Sequence, residues 1–475
     1  LDLYHNSITN ESIIQETGGS NFLIKGTNLH LQSAAGENYF VGTADGSAKL
    51  YYDNATKFCT TTYGACIAGS LCATTLYGDG SNITNAPGFE PDAQENLYAG
   101  TGAGASSDSD TCCNIALGCN AGNALNAGDK NIFLGLEAGK FTDSGSNNIF
   151  LGCQAGYCNV DADNNTFLGN KAGYCSSDTS CSVAIGFYTA ACRNSLGGVF
   201  IGRYAGYGCA GATGANNVAI GNEAGKCGTT GVSNVFLGRY AGKNTTEGNY
   251  NIFLGAYAGC CTTDTSCNFA AGIFAAKCRN SANGVFIGRY AGLGCAGATG
   301  AGNIMLGSEA GRCGTTGDQN VLLGNCAGKC STAGAYNVFL GYQAGKCNTT
   351  GDCNIFLGSE AGGAATVTGN ENIAIGRLSG ASLTSGCNNI HMGCCAGNGS
   401  ETGCCNVFIG VLAASAAAVT GNNNLGMGYR AGNNLTSGYE NVMLGKDSSL
   451  ENTTGYRNVT IGLGAAQCMQ TGCDN

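Results

Sequence analysis

From Asn114 onward the chain repeats one 17-residue phrase, and that repeat constrains the fold more than any other feature. Its consensus is N-[IV]-[FA]-[LI]-G-x-x-A-G-x-C-x-T-T-G-x-x. Units begin at 114, 131, 148, 165, 182, 198, 217, 234, 251, 268, 284, 303, 320, 337, 354, 372, 389, 406, 424, 441 and 458. Of the 20 spacings between these 21 starts, 14 are 17 residues, so insertions rarely interrupt the register. Glycine holds the fifth place of every unit, including Gly118, Gly135, Gly152, Gly169, Gly238, Gly255, Gly324 and Gly341. Asn opens 18 of the 21 units. Residues 165–250 and 251–336 also align unit by unit at an offset of 86, and both carry the same 16-then-19 length irregularity. This marks a five-unit duplication.

A 17-residue unit is too short to bury a core alone and too short for a helical hairpin. Its apolar run, for example Ile132-Phe133-Leu134, predicts a short strand ended by Gly. Stacked units would pair these strands in parallel at ~4.8 Å, so 21 coils would form a rod on the order of 100 Å. Ile132 and Leu134 point one way and Phe133 the other. One face fills the coil. The other is also apolar and needs a partner, which identical parallel chains supply most simply. The invariant Gly permits a tight corner, and stacked Asn side chains predict an amide ladder. The expectation is an all-β chain built on a β-roll or β-solenoid rod of about 21 coils, forming a parallel homotrimer.

Residues 1–84 read differently, as strand-like segments between Gly/Asn/Asp turns, such as Asn21 to Gly26, Leu29 to Gln32 and Lys49 to Asn54. The only two prolines, Pro87 and Pro91, mark a linker and lead-in coil over 85–113, with Asn96-Leu97-Tyr98-Ala99-Gly100 as a degenerate first coil. The coil repeats then occupy 114–475. Leu1 is neither an initiator Met nor the start of a signal peptide, and the chain stops where a further unit would begin. A processed chain or a segment of a longer protein is expected.

Composition removes other classes. With 81 Gly and no Gly-X-Y period the chain is neither helical nor collagen-like. An apolar content of 43% is too high for a disordered tail. The net charge of −10 lacks a basic cluster, which argues against nucleic acid as a partner. No apolar run is long enough for a transmembrane helix.

Several segments carry a resemblance. Leu3-Tyr4-His5-Asn6, Leu29-His30-Leu31-Gln32-Ser33, Gly36-Glu37-Asn38-Tyr39-Phe40 and Lys49 to Phe58 resemble repeats of marine tailed-phage tail fibres. Leu76 to Asn85 resembles the junction that often follows them. The N-x-x-L-G-x-x-A-G units are similar to those of phage and bacterial tail-fibre-domain proteins, and more distantly to head repeats of trimeric autotransporter adhesins. The resemblance covers nearly the whole chain. It implies a homotrimeric fibre at a virion surface or in the extracellular space, attached to a host glycan or protein receptor. The 30 cysteines depart from that family, whose fibres usually carry few.

Cysteines gather at the eleventh or twelfth place of the unit (Cys158, Cys175, Cys192, Cys209, Cys227, Cys278, Cys295, Cys313, Cys330, Cys347, Cys468) and just before the opening Asn (Cys113, Cys181, Cys267, Cys353, Cys405). Where both places are filled, a loop disulfide is favoured: Cys175–Cys181, Cys261–Cys267, Cys347–Cys353 and, as a near copy, Cys468–Cys473. Where only the eleventh place is filled, a bond between successive coils fits the 4.4–6.8 Å disulfide span. Free thiols packed as small hydrophobes are the plain alternative. Metal binding has little support, since Cys326-x3-Cys330 is the nearest zinc-like pair.

Asp161 and Asp163 lie in an acidic turn that could hold calcium but lacks the loop pattern. Thr229-Thr230 and Thr349-Thr350 are adjacent, unlike the T-x-T of ice-binding strands. Arg203-Tyr204, Arg239-Tyr240 and Arg289-Tyr290 suit sugar stacking or, better, the lining of a chain–chain groove. No catalytic motif surrounds His5, His30 or His391, and no cofactor is implied. The chain reads as a non-catalytic shaft of a viral tail or surface fibre that projects a host-attachment tip. The alternative is a cellular adhesin or a disulfide-hardened, self-assembling extracellular filament.

Overall fold

The computed structural model describes residues 2–6, 11–15, 24, 26–62, 64–69 and 91–475, apart from 178, 210, 264, 295–296, 315, 364–365 and 417. The segment 76–85, Pro87, Cys295, and most of the expected strand at 21–26 lie outside the described residues. The chain divides into two compact units, Leu1–Thr84 and Asn85–Asn475. Every regular element among the described residues is a strand.

In the first unit, Asp2–Asn6 and Glu11–Gln15 form an antiparallel pair. Strands Asn28–Gln32, Asn38–Thr43, Ala48–Tyr52, Ala55–Thr61 and Gly64–Ile67 make an antiparallel meander. Asp53 and Asn54 both have φ of 54° between two of these strands, which is the backbone of a type I′ hairpin turn. Val41 is the buried apolar side chain of this sheet, while Leu31, Tyr39, Leu50 and Tyr52 are exposed.

The second unit is a parallel β-solenoid. Strands of three residues follow one another from Leu97–Ala99 and Ile115–Leu117 to Val459–Ile461, each paired in parallel with the next coil in unbroken register. Ile132, Phe133 and Leu134 face Ile149, Phe150 and Leu151. The lead-in segment supplies a full coil, so 21 repeats make 22 strands. The middle residue of each strand points inward: Phe150 is 0% exposed, whereas Ile149 and Leu151 are 40% and 43% exposed. Inside, Phe133, Phe150 and Phe167 stack with ring centroids 5.2 and 4.9 Å apart. The Ala of the eighth place, such as Ala138 and Ala155, closes the core against them.

The fifth-place glycines, from Gly100 to Gly462, all have φ between 123° and 141°. A Cβ on Gly135 or Gly238 would lie 2.7–2.8 Å from the carbonyl of Gly152 or Gly255 in the next coil. Both the backbone angle and the packing therefore require glycine here. The sixth and seventh places vary in residue type, but the seventh is not free. Glu137, Tyr204, Tyr240 and Glu309 have φ of 54–61° there, a second left-handed corner built without glycine.

The opening Asn residues form the expected ladder, fully buried. Asn148 donates its backbone N–H and its Nδ2 to Asn131 Oδ1 at 2.9 and 3.1 Å, and Nδ2 also reaches Ala162 O at 2.8 Å. Its own Oδ1 accepts from the N–H of Asn165 at 2.9 Å. Asn148→Ala would leave the Asn165 N–H and the Ala162 carbonyl buried without these partners, at about 1–3 kcal/mol each. Local loss of amide-exchange protection at Asn165, with distant coils unchanged, is the expected readout.

The ladder is interrupted at Gly198 and Gly284, in the coils of irregular length. There a buried arginine takes over. Arg193 donates to the carbonyls of Gly206, Gly214 and Gly228 at 2.9, 3.3 and 2.6 Å. Its duplicate, Arg279, donates to Gly292 and Gly314, each at 2.9 Å. Burial pulls the Arg193 guanidinium down to about 10, which leaves it charged at neutral pH. A water-sized void, too small for a ligand, lies beside each arginine.

His391 occupies a Phe place, fully buried and stacked on Phe408 at 5.6 Å. Neither ring nitrogen has a hydrogen-bond partner among the described residues. Burial lowers its pKa to about 4. The folded pKa is depressed below the unfolded value, so this stability is present above about pH 6.5 and is lost as pH falls towards the folded value. His391→Phe removes a proton-binding difference worth about 3 kcal/mol. Thermal melts should show the variant losing less stability than wild type between pH 6.5 and 4.

Candidate interaction surfaces

Two features of the solenoid face outward. The first is the outer face of the sheet. The first and third residues of each strand are Ile, Val, Leu or Met in most coils, and they stand half-exposed in continuous rows, for example Ile252, Ile304, Leu340 and Ile355. Beside them the sixth place adds exposed Leu136, Phe187, Ile273, Tyr342, Val411 and Tyr429. In-register parallel pairing makes these rows, because each coil repeats the same residue type at the same height.

The second is a ridge made by the seventh and tenth places. Tyr240, Tyr257, Phe274 and Tyr290 follow one another with centroids 4.8, 4.9 and 5.2 Å apart, the first pair tilted by 39° and the other two stacked. Cations lie over them: Lys243 at 4.7 Å from Tyr240, Lys277 at 5.0 Å from Phe274 and Arg312 at 5.0 Å from Tyr290. Arg203, Arg239 and Arg289 each cover their following Tyr at 5.1 Å. These contacts stabilise the ridge within the chain. Where the seventh place is Glu, ion pairs replace rings. Lys243 bridges back to Glu223 at 2.7 Å, and Lys329 to Glu309 at 2.7 Å.

The Lys329 ammonium, hydrogen bonded to Glu309, holds that carboxyl below its usual value. Its stabilising effect is present above the unfolded glutamate pKa and is lost as pH falls through the lowered folded one. The groups are near the surface, so the effect is small. Glu309→Gln should cost at most about 1 kcal/mol at pH 7, and that difference should begin to shrink in melts as pH falls below about 4.

The cysteines depart from the favoured loop pairing. Cys175, Cys181, Cys261, Cys267, Cys347, Cys353, Cys468 and Cys473 are free thiols in the structure. Among the described residues a disulfide joins successive coils, Cys209–Cys227, with Cα atoms 4.8 Å apart, the pairing expected where the second cysteine is missing. The physical reason is the stack itself. The eleventh and seventeenth places belong to separate columns, each hydrogen bonded to a neighbouring coil, as Cys181 N–H is to Asp163 O at 2.9 Å. Each column therefore brings like residues together along the stack.

Other sequence candidates become parts of the coil-to-coil bonding. Asp161 accepts from Ser144 Oγ at 2.8 Å, and Asp163 from the Ser146 N–H at 2.7 Å. Thr229 and Thr349 donate their hydroxyls to Thr246 O and Val367 O in the next coil, at 2.9 and 3.2 Å. Cys326 lies 3.8 Å from a Glu309 oxygen. No group of three His, Cys, Asp or Glu among the described residues is placed to hold a metal ion. No helix among them is long and apolar enough to cross a membrane.

Sequence reasoning missed a second ladder two residues before the opening Asn. Here Asp129, Asp163, Asn249, Asp318 and Asp352 accept backbone N–H groups of the preceding coil. The recurrence of Asp, Asn and Ser at that place was the available signal. The fold and these surfaces define a parallel β-solenoid repeat protein. Comparison with protein-family models, curated proteins and solved structures finds no match.

Proposed function

We propose that the chain is the shaft of a homotrimeric viral tail or surface fibre, a non-catalytic spacer that projects a host-attachment tip from a virion. The observation that carries this reading is the largely apolar outer face that runs along 22 strands. Parallel sheets are normally covered on both sides. At ~4.8 Å per strand and ~10 Å of width this face offers on the order of 1,000 Å², more than the ~800 Å² per partner of a stable interface. A second copy of the chain, in register, presents the same rows at the same heights. The thin sheet of the first unit, with Leu31, Tyr39, Leu50 and Tyr52 exposed, supports the same need for partner chains.

A cellular extracellular adhesin or self-assembling filament is the second reading, and the coil-to-coil disulfide Cys209–Cys227 favours it. Both readings place the chain outside the reducing interior of a cell, and both rest on self-association. Native mass measurement tests that shared step. The expected result is three times the chain mass, with Ile287→Lys plus Leu340→Lys giving a folded monomer. A wild-type monomer at micromolar concentration would overturn the assembly.

A further inference from the structure

Two cysteines occupy the second ladder in neighbouring coils. Cys387 and Cys404 each stand two residues before an opening Asn, Asn389 and Asn406, at the place that many other coils fill with Asp, Asn or Ser. The same corner carries both, since each precedes a left-handed residue, Asn388 with φ of 59° and Cys405 with φ of 60°. Backbone bonds hold the rise between coils here. The Cys405 N–H donates to Cys387 O at 3.0 Å, as the Asn423 N–H does to Cys404 O at 3.1 Å. Cys404 Sγ takes the acceptor's part in the ladder, receiving the Cys387 N–H at 3.2 Å, while the Cys404 N–H donates to Asn422 Oδ1 at 2.7 Å. The two sulfurs lie 2.9 Å apart, against 4.0 Å between Cys158 and Cys175 and 3.6 Å between the adjacent residues Cys394 and Cys395. Both are half-buried free thiols.

The pair brackets a break in the interior. Among the described residues the buried apolar core has two parts, one from Ala116 to Leu383 and the other from Phe408 to Met443. His391 stands between them, fully buried, with neither ring nitrogen partnered. Its strand, Ile390–Met392, lies in the turn of chain that runs from Cys387 to Cys404. We propose that Cys387 and Cys404 are oxidised to a disulfide clasp that closes this turn and fastens the His391 coil to the coil before it.

The reaction is thiol–disulfide exchange with a small disulfide such as glutathione disulfide. One protein thiolate attacks it and expels a glutathione thiolate. The thiolate of the neighbouring coil then attacks the protein sulfur of the mixed disulfide and expels the second. Two protein thiols become one disulfide, the two electrons pass to glutathione, and the two protons end on the released thiols. Burial raises the Cys404 thiol, so exchange is faster in mild alkali. The bond fixes two coils where stacked apolar side chains do not, and local opening of that turn then has to stretch a closed loop.

The purified chain is incubated with glutathione disulfide at mildly alkaline pH, blocked with N-ethylmaleimide and cut without reduction by trypsin, a glutamyl protease and cyanogen bromide. Cleavage after Arg377, Met392, Glu401 and Met427 separates Cys387 in 378–392, Cys394 and Cys395 in 393–401, and Cys404 and Cys405 in 402–427. The expected product links 378–392 to 402–427, is lost in Cys404→Ser and persists in Cys405→Ser. Recovery of Cys387 as a blocked thiol, its linkage to 393–401, or the reverse pattern in the two variants refutes the pair. Hydrogen exchange then reads the fastening. Amides of 390–404 should exchange at least about tenfold more slowly in the oxidised wild type than after dithiothreitol. Cys404→Ser should show no such difference, which sets aside reduction of Cys209–Cys227 as the cause. Equal exchange in the two wild-type forms sinks the clasp.

Discussion

The structure depends on the buried asparagine ladder. A three-residue strand contributes few backbone hydrogen bonds, and the remaining residues of each coil are turns whose polar groups still need partners. The opening Asn supplies them. Its Oδ1 serves the coil that follows, and its Nδ2 ties the end of its own unit to the start, as in Asn131 with Gly145 O and Asn234 with Gly248 O. Each bond is worth only about 1 kcal/mol net, but an unmade one in the interior costs more. Coils of one length, with one residue at one place, are the simplest way to meet that demand at every level.

The duplicated irregular coils show the same demand from the other side. Where Gly198 and Gly284 remove the ladder amide, a long side chain enters the core and gathers carbonyls from more than one coil. Both guanidiniums also lie against a core ring, Phe200 or Phe286, at 5.5 Å. A buried charge is expensive to desolvate, yet five donors in a planar fork can satisfy several carbonyls at once, which neither Ser nor Thr could do. Preservation of this arrangement across both copies of the five-coil block is the expected result of duplicating a unit that already satisfied its own backbone.

The repetition that satisfies the interior also writes the exterior. Any residue type favoured at one place becomes a row along the solenoid: an apolar face, a ridge of rings and cations, a column of thiols. Rows of this kind suit extended contact with another repetitive surface better than recognition of a compact ligand. A fibre shaft uses that property directly, because identical chains in register present matching rows to one another.

Much of this was legible in the residues. The 17-residue period determined the coil, the parallel register and the number of turns, because an unbroken repeat stacks in one way. The alternation within Ile132-Phe133-Leu134 told that the strand has two apolar faces, the structure decided that Phe133 is the one inside, and the fifth-place glycines told where the chain turns. Residue types could not reveal which non-glycine residues adopt left-handed corners, since Glu137 and Tyr204 look ordinary in sequence. Nor could they reveal that Asp163 serves the preceding coil and Thr229 the next one rather than solvent. The cysteines show the division most clearly. Their places in the unit are written in the sequence, but separation along the chain favoured the nearby loop partner. The stack leaves such loop partners unbonded, as at Cys175 and Cys181, because each bonds to a neighbouring coil, whereas Cys209–Cys227, in coils without the second cysteine, is the coil-to-coil bond that the spacing already allowed.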